Sequence, residues 1–140
     1  MVLDAIYSQL KPYIMAFSKA HRFEQSDFHF SLVCHALSHP ARIAILRMLQ
    51  EHSRLPVNRL RQGIPLGNSA FSQHLKILRE MHILQCEEKF LTIYYWLNPE
   101  VPETQSALKD LLNRSKSYFP QTNSNELSSI AKMKGELKPF

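Results

Sequence analysis

Asn68, Ser69, Ser72, Gln73, Lys76 and Arg79 recur at intervals of one, three and four residues. Wound at about 100° per residue, they fall with Glu80 on one side of a helix. Ala70, Phe71, His74, Leu75, Ile77, Leu78 and Met81 crowd the other side. Hydroxyls, amides and basic groups are the side chains that bond base edges and phosphates in a DNA major groove. An ordinary amphipathic helix with a solvated face shows the same pattern, so the surrounding sequence has to decide between the two.

Charge is the first part of that surrounding. The chain of 140 residues has a formal net charge of +5. Residues 40–80 hold seven cations (Arg42, Arg47, Arg54, Arg59, Arg61, Lys76, Arg79) against two anions, Glu51 and Glu80, which leaves the remainder balanced. A basic segment inside an ordered-looking middle suits a polyanionic partner, although solvated arginines without a partner have the same composition. A single domain with additional terminal elements is expected at this length, large enough to fold without disulfide or metal staples. Cys34 and Cys86 provide neither a disulfide framework nor zinc spacing. No apolar run approaches the roughly 20 residues of a membrane span, and no secretory signal is apparent, so a cytoplasmic protein without membrane contact is expected.

The elements that would position the polar face follow from periodicity and breakers. Leu3, Ile6, Leu10, Ile14 and Phe17 form a helical stripe interrupted at Pro12. A second helix is expected from Ser26 or Asp27, with Phe30, Val33, Ala36 and Leu37 inward, ending before Pro40. Pro40 suits the start of a third helix to about Glu51, burying Ile43, Ile45, Leu46 and Leu49. Residues 52–56 read as a turn and residues 57–64 as a short helix. Pro65, Leu66 and Gly67 then lead into the 68–82 helix, with Gly67 or Asn68 as its cap. Residues 83–88 and 91–97 read as a β-hairpin. Residues 103–119 form a last amphipathic helix, with Ala107, Leu108, Leu111, Leu112 and Tyr118 on its apolar side, and the chain beyond is a polar tail. The predicted fold is mainly α with a small β-hairpin: a winged helix-turn-helix over 31–99. Residues 1–30 and 100–119 add helices whose surplus apolar stripes suit a second copy of the chain, and 120–140 is the tail.

Three segments resemble a known family. Ala36-Leu37-Ser38-His39-Pro40-Ala41-Arg42-Ile43-Ala44-Ile45-Leu46 is similar to the pattern Ala-Leu-(Ala/Ser)-(Asp/His)-Pro-x-Arg-x-x-Ile-Leu. Ser69-Ala70-Phe71-Ser72-Gln73-His74-Leu75-Lys76-Ile77-Leu78 is similar to Ser-x-Val-Ser-x-His-Leu-x-x-Leu, and Ile93-Tyr94-Tyr95-Trp96-Leu97 to Val-Tyr-Tyr-x-Leu. In this order they resemble the ArsR type of bacterial winged-helix transcriptional regulator over residues 33–98, without gaps. The resemblance implies a homodimeric repressor that binds an inverted repeat in double-stranded DNA, with the 68–82 helix in the major groove and the terminal helices at the dimer interface. Ser69, Ser72, Gln73 and Lys76 match its DNA-contacting positions, and Phe71, Leu75 and Leu78 its core. His74 matches the family histidine and lies beside the core face, which favours packing over base contact. Asn68, Arg79, Arg61 and Lys89 complete the expected DNA-binding set.

The departures are specific. Pro65 stands where glycine is usual, Gly67 where a serine cap is usual, and Arg61 where alanine packs against the reader. Leu91 replaces what is often a wing arginine, leaving Lys89 as the only cation at the hairpin tip beside Glu87 and Glu88, so an electrostatic wing contact should be weak. Neither metal site of the family carries over. Residues 55–60 contain no thiolate pair, and residues 103–119 contain no histidine, whereas zinc needs three or four convergent ligands. No cofactor is expected. Cys34, Cys86, His35 and His39 are the candidate sensor residues for an unidentified small-molecule or redox inducer, with Cys34 otherwise a small buried hydrophobe. No paired carboxylates, phosphate loop or nucleophile–base spacing suggest an enzyme. The alternative is a winged helix kept for protein contact without operator recognition.

Overall fold

The computed structural model describes residues 23–118. The expected helix over 3–17 and the tail over 120–140 lie outside the described residues, as does Phe119.

Helix α1 (Gln25–Ala36) follows Glu24, whose extended backbone starts the helix without a side-chain cap. It therefore begins ahead of Ser26 and Asp27. Asp27 sits in the first turn instead, where a carboxylate complements the helix dipole. Val33 and Ala36 are buried as expected, but Phe30 is 56% exposed. Helix α2 (Pro40–His52) opens on Pro40, whose missing N–H is not needed there. His39 caps it, its Nδ1 accepting from the Ala41 N–H at 3.1 Å. Ile45, Leu46 and Leu49 are buried, and Ile43 is only half-buried.

Where a turn was expected at 52–56, the chain forms strand β1 (Arg54–Pro56). Helix α3 (Val57–Gln62) buries Leu60, and a five-residue connection leads to α4 (Asn68–Glu80). Strands β2 (Leu84–Lys89) and β3 (Thr92–Leu97) form the expected hairpin. β1 pairs antiparallel with β3 through Arg54–Trp96, Leu55–Tyr95 and Pro56–Tyr94, so the sheet has three strands in the order β1-β3-β2. The reason the sequence hid β1 is its length. Three residues with a proline give no alternation to read, and only the non-local partner makes them a strand.

Helix α5 (Pro102–Tyr118) closes the fold against α1 and α2. It buries Leu108 and Leu112, with Ala107 and Leu111 half-buried, while Tyr118 is 74% exposed. One core joins Ile45, Leu46 and Leu49 of α2 to Phe71, Leu75 and Leu78 of α4, with Leu84 and Tyr95 of the sheet and Leu108 of α5. Each such side chain removed from water contributes about 1.5–3 kcal/mol, and the three from α4 fix which of its faces remains outward.

Candidate nucleic-acid interface

With Phe71, Leu75 and Leu78 buried, Asn68, Ser69, Ser72, Gln73, Lys76 and Arg79 are all exposed on α4. Ala70, read as apolar-side, is exposed with them; a small side chain there lets another surface approach the helix. Gly67 takes the cap position with extended backbone and no side-chain bond, so the turn through Pro65 still delivers a regular helix. Its φ of −65° is open to any residue.

Three of the polar side chains have partners. Arg61, standing where alanine is usual, is exposed rather than packed between the helices, and its Nη1 donates to the Asn68 Oδ1 at 3.0 Å. Lys76 Nζ lies 3.7 Å from Glu80 Oε1 one turn on. Arg79 lies near the Tyr95 hydroxyl and favours its ionised form, but burial and the neighbouring Cys86 push that phenol above its ordinary pKa. Between the C-terminal half of α4 and β2 runs a groove of about 660 Å³, lined by Lys76, Arg79, His82, Gln85, Cys86 and Trp96 among others. It continues the polar face of α4 toward the wing.

On the outer face of the sheet, the Arg54 guanidinium lies 4.6 Å from the Trp96 ring centre and 5.1 Å from that of Tyr94. Its Nη2 meets Glu87 Oε2 at 2.6 Å, and this bond holds the Glu87 carboxyl below its ordinary pKa. Trp96 Nε1 donates to Gln85 Oε1 at 3.1 Å. At the tip, Lys89 is exposed with Nζ 5.7 Å from the Phe90 ring centre. Phe90 and Leu91 are 89% and 96% exposed.

The basic segment divides into two kinds of cation. Arg59, Arg61, Lys76 and Arg79 face outward. Arg42, counted by charge among the groups for a polyanion, is 5% exposed and belongs to the scaffold. Its Nε donates to the Ala36 carbonyl at 2.9 Å, and Nη2 to the His35 carbonyl at 2.8 Å and to Ser38 Oγ at 2.7 Å. Nη1 faces His74 Nδ1 at 3.3 Å. A guanidinium has only donors, so this contact requires the lone pair on Nδ1 and the proton on Nε2. The His39 ring stacks on His74 at 4.1 Å. Burial, then His39 and Arg42, lower the His74 pKa. His74 therefore packs, and through Arg42 it ties α4 to the end of α1. Pro40-x-Arg42 was visible in the sequence; that its arginine turns inward was not.

Cys34, His35 and His39 sit around the junction of α1 and α2, and Cys86 lies on β2. Cys34 is exposed on α1 rather than buried, and Cys86 is half-buried on β2; both are free thiols. The His35 carbonyl serves Arg42, and the His39 Nδ1 caps α2. Among the described residues no three His, Cys, Asp or Glu side chains are placed to hold a metal ion, and no helix is long and apolar enough to cross a membrane.

No protein-family model matches the chain, and no curated protein matches it by sequence. Solved structures do. The chain is similar to HlyU from Vibrio cholerae N16961, at 25% identity and a TM-score of 0.59 over 71% of this chain and 100% of that one. It resembles the transcriptional regulator HlyU from Vibrio vulnificus CMCP6 at 31% identity, with a TM-score of 0.53 over 62% of this chain and 88% of the other. It also resembles the transcriptional repressor PagR of Bacillus anthracis at 30% identity, with a TM-score of 0.52 over 61% and 95%.

Proposed function

This chain belongs to the ArsR type of winged-helix transcriptional regulators, and we propose that it represses transcription by binding an inverted repeat in double-stranded DNA as a homodimer, in the cytoplasm. One observation carries the reading. Ser69, Ser72, Gln73 and Lys76 stand exposed on one face of a helix whose opposite face is anchored by Phe71, Leu75 and Leu78.

In the proposed complex, α4 lies in the major groove. Ser69, Ser72 and Gln73 meet base edges, and a glutamine amide can bond adenine in two places at once. Asn68, Arg61, Lys76, Arg79 and Lys89 meet phosphates, which set register and orientation. The Arg61–Asn68 bond holds both side chains at the entrance of the helix. Two copies would set their reader helices about 34–36 Å apart, one turn of B-form DNA. Phe30 and Tyr118, exposed on the mutually packed α1 and α5, supply apolar surface for a second copy. An inducer would act on this dimer; Cys34 and Cys86 are the thiols open to one.

The test is binding to duplexes selected from a random-sequence pool, measured against salt. A regulator of this kind loses affinity steeply as salt rises, because each neutralised phosphate releases counterions. Gln73→Ala should lower discrimination between selected and unselected duplexes, and Lys76→Ala should weaken both equally. A purified chain that stays monomeric and retains no duplex at low salt refutes the proposal in favour of a protein-contact module.

A further inference from the structure

The wing tip is built against local preference. β2 and β3 pair up to Lys89–Thr92, so only Phe90 and Leu91 form the turn. Both have positive φ, 50° and 60°, the signature of a type I′ turn, for which Asn-Gly is the preferred sequence because these angles are strained for residues with a large side chain. The chain puts two large apolar residues there, and both stand almost wholly in water. Conformational strain retained at one point is a pointer to function. Neither side chain contributes to the core, so the fold gains nothing from them.

The position of the tip narrows the partner. The groove between α4 and β2 holds Lys76, Arg79 and His82 with Glu80 among them, and it meets the hairpin at Leu84, Gln85 and Cys86, the start of the strand that leads out to the tip. Lys89 stands beside the Phe90 ring. Of the two acidic residues behind the tip, Glu87 is engaged by Arg54, and Glu88 alone opposes a polyanion. A helix face of hydroxyls and amides with an exposed apolar hairpin tip beside it fits a duplex read in its major groove and wedged in the next minor groove. Phe and Leu are among the side chains that enter minor-groove base steps, unstack them and bend the helix axis.

Resting on the DNA-binding reading above, we propose that Phe90 and Leu91 form a minor-groove wedge that unstacks a base step flanking each half-site and bends the duplex. The wedge adds to the single charged contact that Lys89 can make at the tip. It favours flexible pyrimidine–purine steps, whose unstacking is easiest, and so adds sequence preference at positions the reader helix never touches.

Phe90→Asn/Leu91→Gly tests this without endangering the fold, since it installs the preferred turn. The full chain would be bound to a duplex selected by the wild type, carrying a fluorescent adenine analogue at the flanking step and a donor–acceptor dye pair at its ends. Wild type should raise the emission of the analogue and shorten the end-to-end distance. The double variant should melt no lower than wild type, show neither signal, and bind about tenfold more weakly, the balance of two lost apolar side chains against unstacking no longer required. If the double variant binds and bends as wild type does while Gln73→Ala still weakens binding, the wedge is refuted and DNA recognition stands; the tip then serves a protein partner. A wild type that holds no duplex at low salt overturns both.

Discussion

Replacing Arg42 with methionine should unlatch α4 from the end of α1. The methionine keeps much of the apolar stem and removes the donors directed at Ala36, His35, Ser38 and His74. The Ala36 carbonyl is buried and would lose its guanidinium donor, at about 1–3 kcal/mol. The His35 carbonyl and Ser38 hydroxyl lie nearer solvent and recover part of their loss from water, adding about 1–2 kcal/mol between them. The relieved desolvation of the guanidinium offsets some of this. A net loss of about 2–4 kcal/mol is expected, a large share of the roughly 5–15 kcal/mol that holds a domain folded. At about 4–8 °C per kcal/mol for a domain of this size, Tm should fall by roughly 8–32 °C. Urea denaturation would measure it as a lower midpoint with an unchanged slope. Arg42→Lys should recover only part, because one ammonium cannot span all four acceptors. An Arg42→Met midpoint equal to that of wild type would refute the account of the cluster.

Three further outcomes are expected. His74 has a lowered pKa, so the folded chain binds fewer protons there than the unfolded one; stability should fall as pH drops through the ordinary histidine value of about 6.5 and level off below the folded value. His74→Gln, which keeps an acceptor for Arg42 without titrating, should flatten that part of a Tm–pH profile; an unchanged slope would exclude His74 as its source. Arg54→Ala removes an exposed ion pair and two ring contacts and should lower Tm slightly, with high salt narrowing the gap to wild type; an equal gap at all salt concentrations would assign the loss to the ring contacts alone. Lys76→Ala should lower the salt slope of duplex binding by about one, with no change in the Tm of the free protein.

Much of this was legible in the sequence because the informative contacts are local. The alternation of Phe71, Leu75 and Leu78 with Ser69, Ser72, Gln73 and Lys76 fixes the two faces of α4 whatever lies beyond it. The two β-prone runs before and after Phe90 likewise define their hairpin. What escaped depends on residues distant in the chain. β1 exists only through pairing with β3, and Arg42 turns inward only because α1 ends where its carbonyls face it. Phe30 and Tyr118 fit helical stripes yet face water, since periodicity marks a side and not what covers it. Cys34 fails for the same reason.

The β1-β3-β2 order has one further consequence. An open sheet leaves a backbone row on each outer strand free to zip onto a neighbouring molecule. On one margin stands β1, three residues long and ending in Pro56, which has no N–H to offer. On the other, β2 ends in Glu87, Glu88 and Lys89, whose charges resist stacking against a copy of themselves. With both margins blunted, two such proteins crowded onto adjacent binding sites can stand side by side without their sheets fusing.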